Sequence, residues 1–281
     1  MSSSSSPSSS DSPLAPTPSA LAAQPKSFTA PAPPRDAAYW ARLARGVLTV
    51  GAMPPEAVNL NVEGHRVLGP LQGFGPLWKK TFRVRITGRA DVTPTEVVRV
   101  WKAEFPRFWP RGQRFYPSTK GIEPGEVALL NLRVGLPLET GMLVLYADDE
   151  SFTLMTPQGH MYASWITFSA DRVEDDCTTA QVQMLLRAGD PVFDIIMRCG
   201  GYRFENAIWR QTLMNLARRF DVEGEAQTEA VCLDPHVQWA YVPNLWYNDG
   251  IRTAFYVAST PLRWAISSAR SLRGSARGQE G

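Results

Sequence analysis

Hydrophobic and polar positions recur with two distinct periods along the central part of the chain. From Thr81 to Thr87 the alternation is strict, with Phe82, Val84 and Ile86 on one side and Arg83 and Arg85 on the other. A period of two predicts a half-buried strand with a solvated outer face. Asp91-Val92-Thr93-Pro94-Thr95-Glu96 then has the form of a helix start, with Thr93 as N-cap, Pro94 at N1 and Glu96 at N3. Val97, Val98, Val100, Trp101 and Phe105 continue at helical spacing to a predicted stop near Pro106. Further strands are predicted over Glu126–Val134, Gly141–Tyr146, Ser151–Thr156, His160–Phe168 and Thr179–Ala188. The turn Thr156-Pro157-Gln158-Gly159 suits a type I turn plus a left-handed residue, which would pair Thr156 with His160 and Leu154 with Tyr162. Short connections of this kind make a meander economical.

Asp190-Pro191 opens a long helix, with Asp190 as N-cap and Pro191 at N1. Phe193, Ile196, Met197, Phe204, Ile208, Leu213, Leu216 and Phe220 fall on one broad face, and five arginines between Arg198 and Arg219 populate the rest. Gly200-Gly201 predicts a kink or a place where the backbone makes room. The order strand, helix, strands, long helix predicts an α+β fold. Its curved antiparallel sheet grips the long C-terminal helix, with an apolar cavity between them. Extra helical segments flank this core. Asp36–Leu48 reads as a short amphipathic helix stopped by Gly51 and Pro54-Pro55, and Asn59–Leu77 as an irregular lead-in with one short strand. Val231–Val242 reads as a short strand or extended arm. Asn244–Arg273 is helical in pieces, with Trp246, Ile251, Phe255, Trp264 and Ile266 beside Arg252, Arg263, Arg270 and Arg273. A basic amphipathic tail either packs back on its own domain or makes a weak membrane-surface contact.

Composition narrows the picture. The first 34 residues hold 11 Ser and 8 Pro, with only Asp11 and Lys26 charged, so residues 1–35 read as a disordered leader. The leader lacks the basic and apolar regions of a secretory signal. The remaining divisions are residues 36–58, the domain proper at 59–222, and a C-terminal arm at 223–281. No run of about 18 apolar residues occurs, so no transmembrane span is expected. A net charge of +2 gives no electrostatic footprint for nucleic acid. Cys177, Cys199 and Cys232 are odd in number and far apart, which speaks against a disulfide framework or zinc site and for a reducing cytoplasm. Nine Trp and eight Tyr are an enrichment that suits a core or a lined pocket.

Catalytic motifs are absent from the sequence: there is no phosphate-binding glycine loop, no G-x-S-x-G and no H-E-x-x-H. With three histidines, nucleophile–base pairs and metal sites are sharply limited, and no metal or cofactor is expected. His65 and His236 lie in loop-like contexts. His160 opens a central strand, and if that face points inward then His160, Tyr162, Ser164 and Ile166 line the cavity. The facing of Tyr146 depends on a register that the sequence leaves open. Arg187 is a candidate for holding a carboxylate or phosphate head group. Trp101, Trp109 and Ile208 complete the candidate lining. Set against these are blander roles, with His160 capping a hairpin and Arg187 at the solvent edge. The acidic runs at 148–150 and 174–176 read as solvated hairpin ends, and Cys199 as a small buried residue.

The element order, together with Gly121-Ile122-Glu123-Pro124-Gly125-Glu126, Gly141–Asp148, Gly159-His160-Met161 and Trp165-Ile166-Thr167-Phe168, resembles the SRPBCC or START-like (Bet v 1-like) superfamily in a bacterial branch. The resemblance covers roughly Asn59–Phe220. It implies the helix-grip fold and a cavity for lipids, sterols, polyketides or plant hormones, and some members are cyclases or dehydratases. No catalytic motif carries over residue by residue. The expected function is therefore binding of a hydrophobic small molecule or lipid rather than catalysis. One alternative is a polyketide cyclase-type enzyme using His160, Tyr162 or Arg187. Another is an interaction module in which the Phe105–Trp109 knot and the arm expose Trp109 and Trp264 in one patch.

Overall fold

A computed structural model describes residues 37–42, 46–134 and 136–260. The leader, and Trp264, Ile266 and the basic residues after Arg252, lie outside the described residues. The alternation at Phe82, Val84 and Ile86 does what period two requires, and all three are fully buried within β2 (Leu77–Thr87). The other strands are β1 (Val67–Leu68), β3 (Arg114–Tyr116), β4 (Val127–Val134), β5 (Leu136–Ala147), β6 (Ser151–Pro157), β7 (Tyr162–Glu174), β8 (Cys177–Ala188) and β9 (Gln227–Asp234). They form one antiparallel sheet in the order β3-β4-β5-β6-β7-β8-β2-β9, with β1 added beside β6. The middle of the chain is a meander, and β2 returns to pair with β8 from Trp78↔Leu186 to Thr87↔Cys177.

Two helices cover one face of this sheet. Thr93 accepts a hydrogen bond from Glu96 N (3.2 Å) and starts α1 (Pro94–Phe108), as its capping pattern predicts. The helix runs two residues past the predicted stop near Pro106. Glu104 leaves helical geometry (φ −115°, ψ 16°), and that local break accommodates the proline, which lacks an N–H and would crowd the preceding turn. Asp190 Oδ1 accepts from Val192 N (2.8 Å) and Phe193 N (3.0 Å) and opens α2 (Pro191–Ile196). A π-turn at Met197–Gly201 follows, with Gly200 at φ 127°, and α3 (Tyr202–Arg218) completes the long helix. The double glycine is thus a kink. This is the helix-grip arrangement: an open antiparallel sheet packed on a long helix.

Aromatic rings fill the space between α1 and the sheet. Phe152 and Phe168 stack at 4.5 Å, and Trp101 and Phe105 meet Phe168 edge-on at 5.2 Å each. On the opposite face Leu48 and Val62 of the lead-in cover Val127, Leu129 and Leu143. The arm continues from β9 through a 3₁₀ segment (Trp239–Tyr247) into a helical stretch at 249–260.

Four local expectations are overturned. Residues 37–42 make one 3₁₀ turn (Ala37–Tyr39) and then an irregular path, with Trp40 bridging to Tyr146, so the described part of 36–48 is no amphipathic helix. Its apolar spacing serves docking instead: Ala41 N donates to Leu145 O (2.9 Å) and the Trp40 ring rests 4.8 Å from that of Tyr146. Leu154 faces Ile166 rather than Tyr162, because Thr156 and Pro157 exchange β7 for β1 as their partner and so lengthen the loop. Cys199 is exposed on the π-turn, not buried. Trp109 is 7% exposed, which removes it from any surface patch.

Gly159 joins the meander to the arm. It sits at φ 100°, and a Cβ there would collide with Tyr247 O and Asp249 Oδ1. Asp249 N donates to Gly159 O at 2.9 Å. Gly159→Ala is expected to destabilise by about 2–4 kcal/mol through left-handed strain plus displacement of the arm. Urea denaturation checks this. A loss below about 0.5 kcal/mol would mean that the arm does not pack there.

Candidate functional site

Between the long helix and β4, β5, β7 and β8 lies a cavity of about 40 Å³, lined by Leu130, Leu132, Met142, Ile166, Met184 and Trp209 among others. Its lining is apolar, and a void of this size holds the end of a ligand, not a whole hydrophobic molecule. Beside it is a groove of about 200 Å³, bounded by Pro137, Leu138, Val192, Phe193, Ile196 and the arm residues Asn248, Gly250, Ile251 and Ala254. Ile196, Ile251 and Ala254 are exposed, so the groove opens to the surface. Met161 and Met197 line both voids and stand between them. Thioether side chains are unbranched and adaptable, which makes this partition the softest wall of the site.

A buried ion pair lies beside the inner cavity. Lys80 shares the inward parity of Phe82 and places Nζ 2.7 Å from Glu205 Oε2 on α3, with both side chains about 95% buried. Asn206 Oδ1 accepts from the same ammonium (3.2 Å), and the Tyr202 ring lies 4.5 Å beneath it. Tyr162 donates its hydroxyl to Glu205 Oε2 at 3.1 Å. Burial pushes the Glu205 carboxyl above its ordinary value, with Lys80 opposing that shift, and the buried Tyr162 hydroxyl titrates well above the usual phenol range. His160 accepts the Tyr162 backbone N–H at Nδ1 (3.0 Å). Complete burial lowers its pKa to about 4, so the ring is neutral at pH 7 with its one proton on Nε2. Glu205 Oε1, His160 Nε2 and Trp109 Nε1 are buried without a hydrogen-bond partner among the described residues, and all three residues line the cavity.

Of the residues singled out from sequence, His160, Tyr162, Ile166, Trp109 and Ile208 meet around this cavity. The other four lie elsewhere. Trp101 is packed in the ring cluster, and Ser164 is buried beside Leu186 without lining either void. Tyr146 lies under Trp40 and donates to Asp148. Arg187 has the parity opposite to Met184 and Leu186. It is 3% exposed and serves as a clamp, donating to Gly75 O (2.6 Å), His236 O (2.9 Å) and Asp234 Oδ2 (2.5 Å). Both roles considered for it, head-group binding and a solvent edge, are therefore corrected. Sequence reasoning missed Lys80, Glu205 and Trp209. Their signal was present: Lys80 continues the inward alternation of Phe82, and Glu205 lies one turn from both Gly201 and Trp209.

No family model and no curated protein matches the chain. Solved structures match about half of it. A START superfamily protein from Mycobacterium smegmatis is 20% identical over 52% of this chain and 98% of its own, with a TM-score of 0.34. The protein XoxI from Bacillus cereus is 12% identical over 50% and 94%, with a TM-score of 0.36. Ara h 8.0201 is 11% identical over 50% and 99%, with a TM-score of 0.33. The first of these carries the name of the superfamily that the sequence resembles. At such scores the fold rests on the chain's own strand order and helix placement, and no function passes across.

Two measurements probe the site's electrostatics. Lys80→Met or Glu205→Leu alone leaves an unpaired buried ion and is expected to cost about 3–5 kcal/mol, whereas the double variant costs less than either. Additive losses in denaturant titrations would contradict the pairing. His160 has a folded pKa of about 4, below its ordinary 6.5, so between those values the unfolded chain binds a proton that the native state refuses. Its contribution is therefore lost as pH falls, by up to about 3 kcal/mol at pH 4. His160→Gln removes that component, and the gap between the two stability–pH curves should narrow on acidification. A constant gap from pH 7 to 4 would mean that His160 is not held neutral.

Proposed function

We propose that this protein binds a hydrophobic small molecule or lipid chain in the groove, with one end reaching past Met161 and Met197 into the inner cavity. The observation that supports this most is the pairing of an open apolar groove with a small apolar cavity behind a two-methionine partition. Entry requires those thioethers to change rotamer, a motion open to Met side chains at low cost. Binding fits better than proton transfer. His160 has its proton on Nε2 and its Nδ1 occupied, Tyr162 stays protonated, and Arg187 is outside the cavity. The free thiols of Cys177, Cys199 and Cys232 favour a reducing compartment such as the cytoplasm. No described helix is long and apolar enough to cross a membrane. A second reading, surface contact through the arm with a membrane, is favoured by Trp239, Trp246 and Phe255, which are 73–83% exposed.

The neutral probe N-phenyl-1-naphthylamine tests the first reading. It should bind saturably with a rise in fluorescence. Ala254→Trp fills the exposed groove wall without touching the core and should weaken binding at least about tenfold, the equivalent of some 1.4 kcal/mol. Absence of binding by the wild-type chain, to this probe and to a panel of apolar ligands, would refute the proposal.

A further inference from the structure

The two edges of the sheet end differently. At one edge β3 is three residues long and its central Phe115 is buried, so little backbone is open there. At the other, β9 runs for eight residues, and every residue from Gln227 to Leu233 is exposed. β9 pairs with β2 along one side, which leaves every second N–H and C=O directed outward on the other. Edge strands of this length are ordinarily guarded by lysine, proline or an outward charge. β9 has no Lys and no Pro. Both of its carboxylates are tied to their own chain, Glu229 to Arg83 (3.2 Å) and Asp234 to Arg187 (2.5 Å). Between them lies the apolar run Ala230-Val231-Cys232-Leu233, with Val231 and Leu233 46% and 52% exposed. The arm leaves this edge open. After Asp234 it is held by Arg187, which donates to His236 O (2.9 Å), and by Phe74 O, which accepts from Gln238 N (2.7 Å). Among the described residues only β2 hydrogen-bonds to the β9 backbone.

The strand's own pattern selects its partner. A second copy related by a two-fold axis sets β9 antiparallel to itself, and a contact of this kind closes at two copies. Only residues of like parity exchange outward hydrogen bonds, so the axis must pass where one residue faces its own equivalent. The regular pleat runs from Gln227 to Cys232, because Leu233 is an extra residue where β2 steps from Trp78 to Leu77. An axis at Val231 keeps only residues 230–232 of that pleat paired. An axis at Glu229 keeps 227–231 but sets two carboxylates face to face, which is destabilising. An axis at Ala230 keeps 228–232, with a small side chain at the centre, Glu229 opposite Val231 of the second copy and Thr228 opposite Cys232. We propose that this protein forms a two-fold dimer through β9, with Ala230 at the axis and the two sheets joined into one. The groove shares no lining residue with β9, so this stands independently of ligand binding.

Sedimentation velocity of the full chain in reducing buffer, from about 1 to about 200 μM, tests this. The 31.1 kDa monomer should give way to a species of twice that mass, with a dissociation constant of about 10–100 μM for so short a seam. Val231→Glu places a carboxylate opposite Glu229 of the second copy and should weaken the dimer at least about tenfold. Val231→Lys places an ammonium there and should hold or tighten it. Val231 is exposed, and unchanged melting temperatures report that both variants are folded. A wild-type chain that stays monomeric at the highest concentration, or assembly that continues past the dimer, would overturn the proposal. So would a dimer indifferent to Val231→Glu, or one that both substitutions weaken alike. Should either variant not fold, a thiol pair reads the same register. With Cys199 and Cys232 replaced by Ser, Ala230→Cys should be bridged across the axis by dibromobimane, whose reach suits directly opposed strand residues. Absence of that crosslink would equally overturn the pairing.

Discussion

Glu205 is a carboxylate that bulk water does not reach, and the fold has to answer for it. An isolated buried carboxylate is prohibitively unstable, so the facing strand must bring a cation within contact distance. Lys80 does so from β2, at a position where simple alternation calls for an apolar side chain. That one contact ties the long helix to the strand that lies between β8 and β9, elements far apart in sequence. It also sets the rotation of α3, because Glu205 must point at Lys80 while Leu213 and Leu216 point at the core. The π-turn at Met197–Gly201 lets α2 keep its own orientation above the groove. Gly201 carries a further constraint, since a Cβ there would stand 2.6 Å from the sulfur of Met197. The glycine therefore makes room for one half of the partition between groove and cavity.

Hydrophobic stabilisation alone does not account for this arrangement. A Met–Leu replacement of the Lys80–Glu205 pair would pack the same space at no net loss, by the general behaviour of buried ion pairs. What the pair adds is a specific tie between α3 and β2, directional where apolar packing is not. Tyr162 contributes in the same way. Its hydroxyl is held by Glu205 Oε2, and its backbone N–H holds His160 in one tautomer. One residue at the start of β7 thus orients two side chains that border the cavity.

How far the sequence foretold this depends on the kind of signal. Period-two alternation marked β2 and the meander strands, and the Thr93-Pro94 and Asp190-Pro191 starts placed both helices on the correct residues, because caps and alternation are local chemistry. The Thr156–Gly159 turn misled where a long-range partner, β1, captured the end of β6. No local pattern records that. The candidate site was half legible. His160, Tyr162, Trp109 and Ile208 sit on the cavity, whereas Tyr146 and Arg187 fall on the other side of the sheet, Arg187 by parity and Tyr146 because a bulge between Val144 and Tyr146 breaks the alternation. Lys80 and Glu205 escaped notice because each looks like a solvated charge in its own segment. Only their pairing, 125 positions apart, identifies them as a buried unit.

The arm is part of the site through the same logic of unmet polar groups. Asn248 Nδ2 donates to Asp190 Oδ2 (2.7 Å), the second oxygen of the residue that caps α2. Asn244 Nδ2 donates to Gly189 O and to Gln72 O, both at 3.0 Å. These bonds anchor the groove wall formed by Asn248, Gly250, Ile251 and Ala254 to the first turn of the long helix. Because Asp190 and Asp249 are both buried, and burial raises both carboxyl pKa values, the anchor is electrostatically tense, and it holds only while Asn248 and Thr140 keep donating to those oxygens. A ligand in the groove therefore touches a wall whose position is set by the helix cap. Groove width and the start of the grip helix are in this sense a single structural variable.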